Sequence, residues 1–347
     1  MKADPKEGKR QAEKLKRELL ALRDAAVNPS AQTLGDYLEA WIVSMRDAKR
    51  SRIRPRTLDH YRLIVDRHIK PALGSIRLDR LTERHIQAWI DGDGGSPRTI
   101  DHHRAVLRRA LNVAVRQRVL LRNPALAIDL PPIVEFRGDP LSLDEASRLL
   151  EASVGDRLGV LWRLAIDTGF RLSELLGLGW EDDVDLPAGT VTPNRQLVRR
   201  RGQWGYGPPK VARELLGVAI AADTVAALRA HKVRQADERE ADWKYWGLVF
   251  ISPDRNRDGD RGMPYHEAAV LRAFHAACDA AGIRRRRIHD LRGTTATLMR
   301  ELGVAEDVRM SRLGHTTKAM ARHYGQAGSA LDRRAADTLG EALRTAN

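Results

Sequence analysis

Between Ile288 and Gln326, four residues suited to one reaction occur close together. His289 and Arg292 stand three positions apart, Leu313-Gly314-His315 follows, and Tyr324 comes nine positions after His315. A guanidinium, two imidazoles and a phenol suit the attack of a tyrosine on a phosphodiester. The non-bridging oxygens of that ester repel nucleophiles and its alkoxide leaves poorly. A route without metal must neutralise the oxygens, deprotonate the phenol and protonate the departing 5′-oxygen. Arginine presents a planar fork to two phosphate oxygens and stays charged at any working pH. A tyrosine, with an ordinary pKa of about 10, needs nearby cations or a base. No Asp/Glu cluster with magnesium spacing stands out, so neither a metal ligand nor a cofactor is expected.

The elements that must hold these residues are legible in outline. The pattern before His289 and around Leu298-Met299 predicts a helix, on which the i,i+3 spacing puts His289 and Arg292 on one face. Gly303 breaks it, and a short second helix runs to Gly314. Further upstream, Gly169 ends an apolar helix over Val160 to Thr168. The run Thr168-Gly169-Phe170-Arg171-Leu172-Ser173-Glu174-Leu175-Leu176-Gly177-Leu178 then leads into Trp180-Glu181-Asp182.

His-x-x-Arg, Leu-Gly-His and the spaced Tyr resemble the C-terminal signature of the tyrosine recombinases, the phage-integrase family of site-specific DNA recombinases. The upstream run is similar to that family's first-arginine box, and the resemblance covers about residues 31–330. It implies that Arg171 and Arg292 hold the scissile phosphate and that Tyr324 is the nucleophile, forming a 3′-phosphotyrosine and releasing a 5′-hydroxyl. It gives His289 a part in moving the proton and His315 a hydrogen bond to the phosphate. Lys210, in Pro208-Pro209-Lys210-Val211-Ala212, falls where the family has a general acid, although the common turn there is richer in Thr and Ser. Glu174 would orient Arg171 or His289, or serve as a plain structural carboxylate.

Religation from a phosphotyrosine needs no ATP. The resemblance further implies a homotetramer on two duplexes during synapsis, a possible directionality factor, and integration or excision of a mobile element. Two alternatives stay open: a type IB-like topoisomerase, and a non-cleaving DNA-binding regulator of the same fold.

Composition agrees with a polyanionic partner, double-stranded DNA. The 347 residues carry a formal net charge of +14. The excess is uneven: residues 31–130 hold 19 basic and 11 acidic side chains, and the longer remainder after them holds 33 and 30. Cys278, the one cysteine, lies in an apolar-periodic run and reads as a core residue, with no disulfide and no zinc spacing. No apolar run approaches the roughly 20 residues of a membrane span, and no signal-peptide segment is visible, so a cytoplasmic protein without membrane partners is expected.

The expected fold is mainly α with a small antiparallel β-sheet: a helical core-binding (SAM-like) domain plus a tyrosine-recombinase catalytic domain. Residues 1–30 read as a charged helix, either the remnant of an arm-binding domain or a surface for a partner subunit. Residues 31–130 read as a helical bundle with Thr33, Thr57 and Thr82 as caps. Its long helix, Thr99 to Arg118, puts Ile100, Val106, Leu107, Ala110, Leu111 and Ala114 on one side, and His102, His103, Arg104, Arg108 and Arg109 on the other. That polar side, with Arg52, Arg54 and Arg56 of a basic link, is the candidate for phosphate contact.

Residues 131–139 are a linker. Residues 140–328 form the catalytic domain, opened by a capping box at Ser142 and Glu145. Runs over 189–192, 196–198 and 215–220 should make a three-stranded sheet. Residues 329–347 form a last helix that docks on a neighbouring subunit or folds back on its own domain.

Overall fold

The computed structural model describes residues 13, 32–47, 53–134, 138–200, 202–208, 217–256, 258–314 and 328–346. Lys210, His315, Tyr324, Arg52 and the expected N-terminal helix lie outside them. The chain divides into two compact units, Met1–Phe136 and Arg137–Asn347.

The first unit is helical: α1 (Leu34–Asp47), α2 (Pro55–Ile64), a π-helical turn (Val65–Ile69), α3 (Lys70–Leu73), α4 (Glu83–Asp91) and α5 (Pro97–Arg116). Leu34, Leu38, Ile42, Ile64, Ile69, Ile86 and Leu107 are essentially inaccessible and form one core. At about 1.5–3 kcal/mol for each large apolar side chain buried, this core is what holds the bundle together. Thr33 caps α1 by accepting the Asp36 N–H at 3.2 Å, and Thr82 caps α4. Thr57 caps nothing: α2 begins two residues earlier, because Pro55 is preset for the first helical position and has no N–H to satisfy. The long helix likewise starts at Pro97, after Ser96 as cap.

The second unit has α6 (Leu143–Ala152), α7 (Gly159–Thr168), α8 (Leu172–Leu175), β1 (Val184–Asp185), β2 (Thr190–Val191), β3 (Gln196–Arg200), β4 (Gln203–Gly207), β5 (Val218–Ala219), α9 (Ala222–Asp237), β6 (Ile251–Ser252), β7 (Met263–Pro264), α10 (Glu267–Ala280), α11 (Asp290–Glu301), α12 (Glu306–Leu313) and α13 (Gly328–Thr345). Its core centres on α7, where Leu161, Trp162, Leu164 and Ile166 are buried on all sides; Trp162 packs on Phe274 with ring centroids 5.1 Å apart. Ser142 and Glu145 form the expected capping box, and Cys278 is buried.

The sheet differs from the expectation. The three-stranded sheet runs β1-β2-β5, and its first strand was not foreseen. Residues 196–198 instead belong to a separate hairpin, β3-β4, paired from Gln196↔Gly207 to Arg200↔Gln203. Gly202, at φ +85°, makes the reversal between the two strands.

The last helix packs on its own unit. The Ser147 hydroxyl donates to the Leu343 carbonyl at 2.8 Å, Arg333 donates to the Ile220 and Gly189 carbonyls, and Leu339 and Leu343 join the core. Among the described residues, no helix is long and apolar enough to cross a membrane.

Candidate active site

The C-terminal end of α7 starts the site. Gly169 ends that helix in the left-handed region, at φ +66°, and a Cβ there would collide with the Leu313 side chain. Glycine therefore serves twice, for the turn and for the close approach of α12. Two residues on, Arg171 is extended and leads into α8. The Glu174 carboxylate, with only 3% of its side chain exposed, accepts the Arg171 backbone N–H at 3.0 Å and its Nη1 at 2.9 Å. Glu174 therefore orients Arg171. The Arg171 side chain keeps 21% exposure, enough for its remaining N–H groups to face a ligand.

Arg292, on the first turn of α11, is buried. Its Nη1 donates to the Gly169 carbonyl at 2.7 Å, and its Nη2 donates to the Leu313 carbonyl. Both carbonyls sit at helix C-termini, where partial negative charge favours a cation. Gly314, at φ +63°, closes α12 just beyond. One guanidinium thus ties the arginine box, the His-x-x-Arg helix and the Leu-Gly-His segment together, across separations of 123 and 21 positions.

His289 precedes α11 and is exposed, so the pair is less alike than its spacing suggests: the imidazole faces outward and the guanidinium inward. Partial burial, then the nearby cations of Arg292, Arg287 and Arg171, hold its pKa below the ordinary value, against the opposing charge of Asp290. The neutral imidazole, the form that accepts a proton, is favoured. Both arginines act on His289, so the three described candidates share one electrostatic neighbourhood.

A second buried arginine was not foreseen. Arg312 donates to the carbonyls of Asp167 (2.8 Å), Ala219 (2.9 Å) and Asp332 (3.1 Å), and to Asp332 Oδ1 at 2.5 Å. Asp167, wholly buried, has its pKa raised by desolvation, which the Arg312 charge opposes. The signal was Asp167 itself, an acidic residue closing the apolar run of α7, which in a core needs a cation. Arg312 adjoins Leu313 and fixes the end of α12 from behind.

In the helical unit, Arg54, Arg56, His102, Arg108 and Arg109 are solvent-facing, and the Arg109 guanidinium lies over the Tyr61 ring at 5.8 Å. Two residues assigned to that face do not belong on it. His103, three positions after Ile100 and three before Val106, is on the inward face of α5, buried and bonded to Asp93 at 2.7 Å. Arg104 keeps 12% side-chain exposure and is held by Asp101 and the Ala125 carbonyl.

Sequence comparison matches residues 140–329 to the phage integrase family and residues 33–92 to the N-terminal SAM-like domain of phage integrases. The integrase of Mycobacterium phage L5 is 26% identical over 321 residues, spanning 91% of this chain and 81% of its own. Among solved structures, the Tn1549 transposon integrase with a circular intermediate DNA aligns at a TM-score of 0.68 and 18% identity, covering 84% of this chain and 94% of its own. A lambda integrase tetramer bound to a Holliday junction aligns at 0.57 and 19%, covering 91% and 89%. At such identities the structural matches speak for the fold.

Proposed function

The chain belongs to the phage integrase family and is a site-specific DNA recombinase, and from that premise we propose how its own residues break and rejoin the strand. Arg171 and Arg292 neutralise the scissile phosphate, and Tyr324 attacks it to give a 3′-phosphotyrosine. His289 takes up the phenolic proton, His315 hydrogen-bonds a phosphate oxygen, and Lys210 protonates the 5′-oxygen as it leaves. The 5′-hydroxyl of a partner strand then reverses the attack, and the bond energy held in the phosphotyrosine makes ATP unnecessary.

The observation that carries this reading is the pair of bonds from Arg292 to Gly169 and Leu313, which bring the separate motifs to one point. Donors fixed before the reaction act on charge that develops only in the transition state, without reorganising. Arg292 is held by helix-end carbonyls, and Arg171 by the buried Glu174. The partners proposed from the same premise are double-stranded DNA and four protomers on two duplexes. In that assembly α13 would leave its own unit and make its contacts on a neighbouring protomer. The exposed Arg54, Arg56, His102, Arg108 and Arg109 contact phosphates, positioning the protein without reading sequence.

The test uses DNA flanking the gene, incubated with wild type and Tyr324→Phe, quenched with detergent, and sequenced at protein-linked ends. The expected result is adducts at one position with wild type and none with the variant, which still binds. Adducts persisting in Tyr324→Phe would remove that residue as nucleophile. Adducts scattered over the DNA would contradict site choice.

A further inference from the structure

Linear spacing offers no metal site, but folding assembles one group of donors in the helical unit. His68 comes from the π-helical turn, Asp93 from the loop after α4, and His103 from α5; one donor atom from each lies within 4.8 Å of the other two. The His103 Nδ1 to Asp93 Oδ2 distance is 2.7 Å, and the His68 and His103 ring centroids are 4.0 Å apart. His103 and Asp93 keep only 6% and 9% of their side chains exposed. We propose that His68, Asp93 and His103 bind a divalent transition-metal ion of the zinc type.

The chemistry of the set selects the ion. Two imidazoles and one carboxylate suit zinc and its neighbours, whereas magnesium and calcium require oxygen ligands. Around a tetrahedral ion with bonds of about 2.0–2.2 Å, ligand atoms stand roughly 3.3–3.6 Å apart. The present spacing brackets that value, so small side-chain rotations bring the three donors to bonding distance, with the fourth position left for water. The Asp93 carboxylate is already oriented: its Oδ1 accepts the Gly95 N–H at 2.9 Å.

The π-helical turn supplies an independent indication. An extra residue in a helical turn rotates the next residues by about 100°, and here the turn Val65–Ile69 carries His68 to the ring of His103. Such bulges cost hydrogen-bond geometry and occur often where a side chain must be aimed. The hydrogen bond between Asp93 and His103 accounts for that pair but does not use a donor atom of the second imidazole. A bound ion uses all three. It would pin the loop that leads into Ser96, the cap of α5, and so steady the helix that carries Arg108 and Arg109.

The experiment needs neither DNA nor cleavage, so its outcome is separate from that of the proposed reaction. Tag-free full-length protein is stripped with EDTA, dialysed against zinc, and melted with and without the ion. One equivalent at micromolar zinc is expected, with a rise in Tm of several degrees. Cobalt in its place should give the intense visible bands of a four-coordinate nitrogen and oxygen site. His68→Gln and Asp93→Asn should each lose the equivalent and the rise, while His60→Gln/His102→Gln, which alters the exposed imidazole pair beside the site, should retain both.

Should Asp93→Asn fail to fold, His68→Gln decides, with far-UV circular dichroism and metal-free melting as its controls. Loss of zinc with both controls unchanged supports the site. An equivalent that survives His68→Gln, one that needs His60 and His102, or no binding by the wild type overturns it.

Discussion

The two units bury different polar groups. Among the described residues of the C-terminal unit, the buried arginines are Arg292 and Arg312, each bonded to carbonyls of other elements. In the N-terminal unit the arginines proposed for DNA face solvent, and the inward polar groups include the imidazole and carboxylate set of His68, Asp93 and His103. The contrast follows from the tasks. In the proposed reaction a phosphate must be met at one fixed point, which arginines anchored by buried partners would provide. A uniformly charged DNA backbone needs only accessible cations, and mobile ones serve.

The largest effect that bears on this contrast should come from the anchored pair. Arg171→Ala and Arg292→Ala are each expected to lower the rate of cleavage by about 10²–10³, by analogy with the loss of one preorganised donor. Both should also lower Tm, Arg292→Ala by loosening the helix ends it holds together and Arg171→Ala by leaving the buried Glu174 carboxylate without its cation. A single-turnover assay paired with thermal melting separates the two effects; an unchanged rate in either variant removes it from the phosphate.

Comparable in free energy is Arg312→Ala, expected to cost about 3–5 kcal/mol in urea unfolding, as when one partner of a buried ion pair is removed. A loss below about 1 kcal/mol, the range of exposed pairs, would mean that the cluster is not the anchor described.

The pH profile probes His289. Its pKa is lowered, so the neutral base persists to lower pH than an ordinary histidine allows. The acid limb of the cleavage profile should lie below the usual histidine range, with cleavage lost as pH falls through it, and His289→Gln should abolish that limb. A limb unmoved by the substitution assigns the proton to another group.

The smallest effect belongs to the exposed face. Arg108→Ala and Arg109→Ala should each change stability by less than about 0.5 kcal/mol. Each should reduce the slope of log affinity against log salt by about one. A slope equal to that of wild type would exclude the residue from phosphate contact.

Much of the local structure was legible because its causes are local. Thr33, Thr82 and Ser142 cap helices since a side-chain oxygen can reach an N–H two or three residues away. Gly169 ends α7 since left-handed backbone suits glycine. The errors came where two local rules competed or where pairing was remote. Thr57 was an acceptable cap, but Pro55 initiated the helix before it. His103 is polar and stands among polar neighbours, yet its helical phase turns it inward. Strands of two residues, such as β1, carry too little alternation to be seen, and partners found across a sheet define them.

By itself, then, the sequence determined the residue types of the site, their order, the basic charge and most helix limits. These depend on interactions within a few positions of one another, or on composition alone. Only the tertiary structure decided which arginine is exposed and which is buried, that Arg312 braces α12, and that His68 meets His103. Each of these joins groups far apart in the chain or depends on the exposure of a face. Packing settles such matters, because a buried cation or imidazole must find its partners wherever the core supplies them.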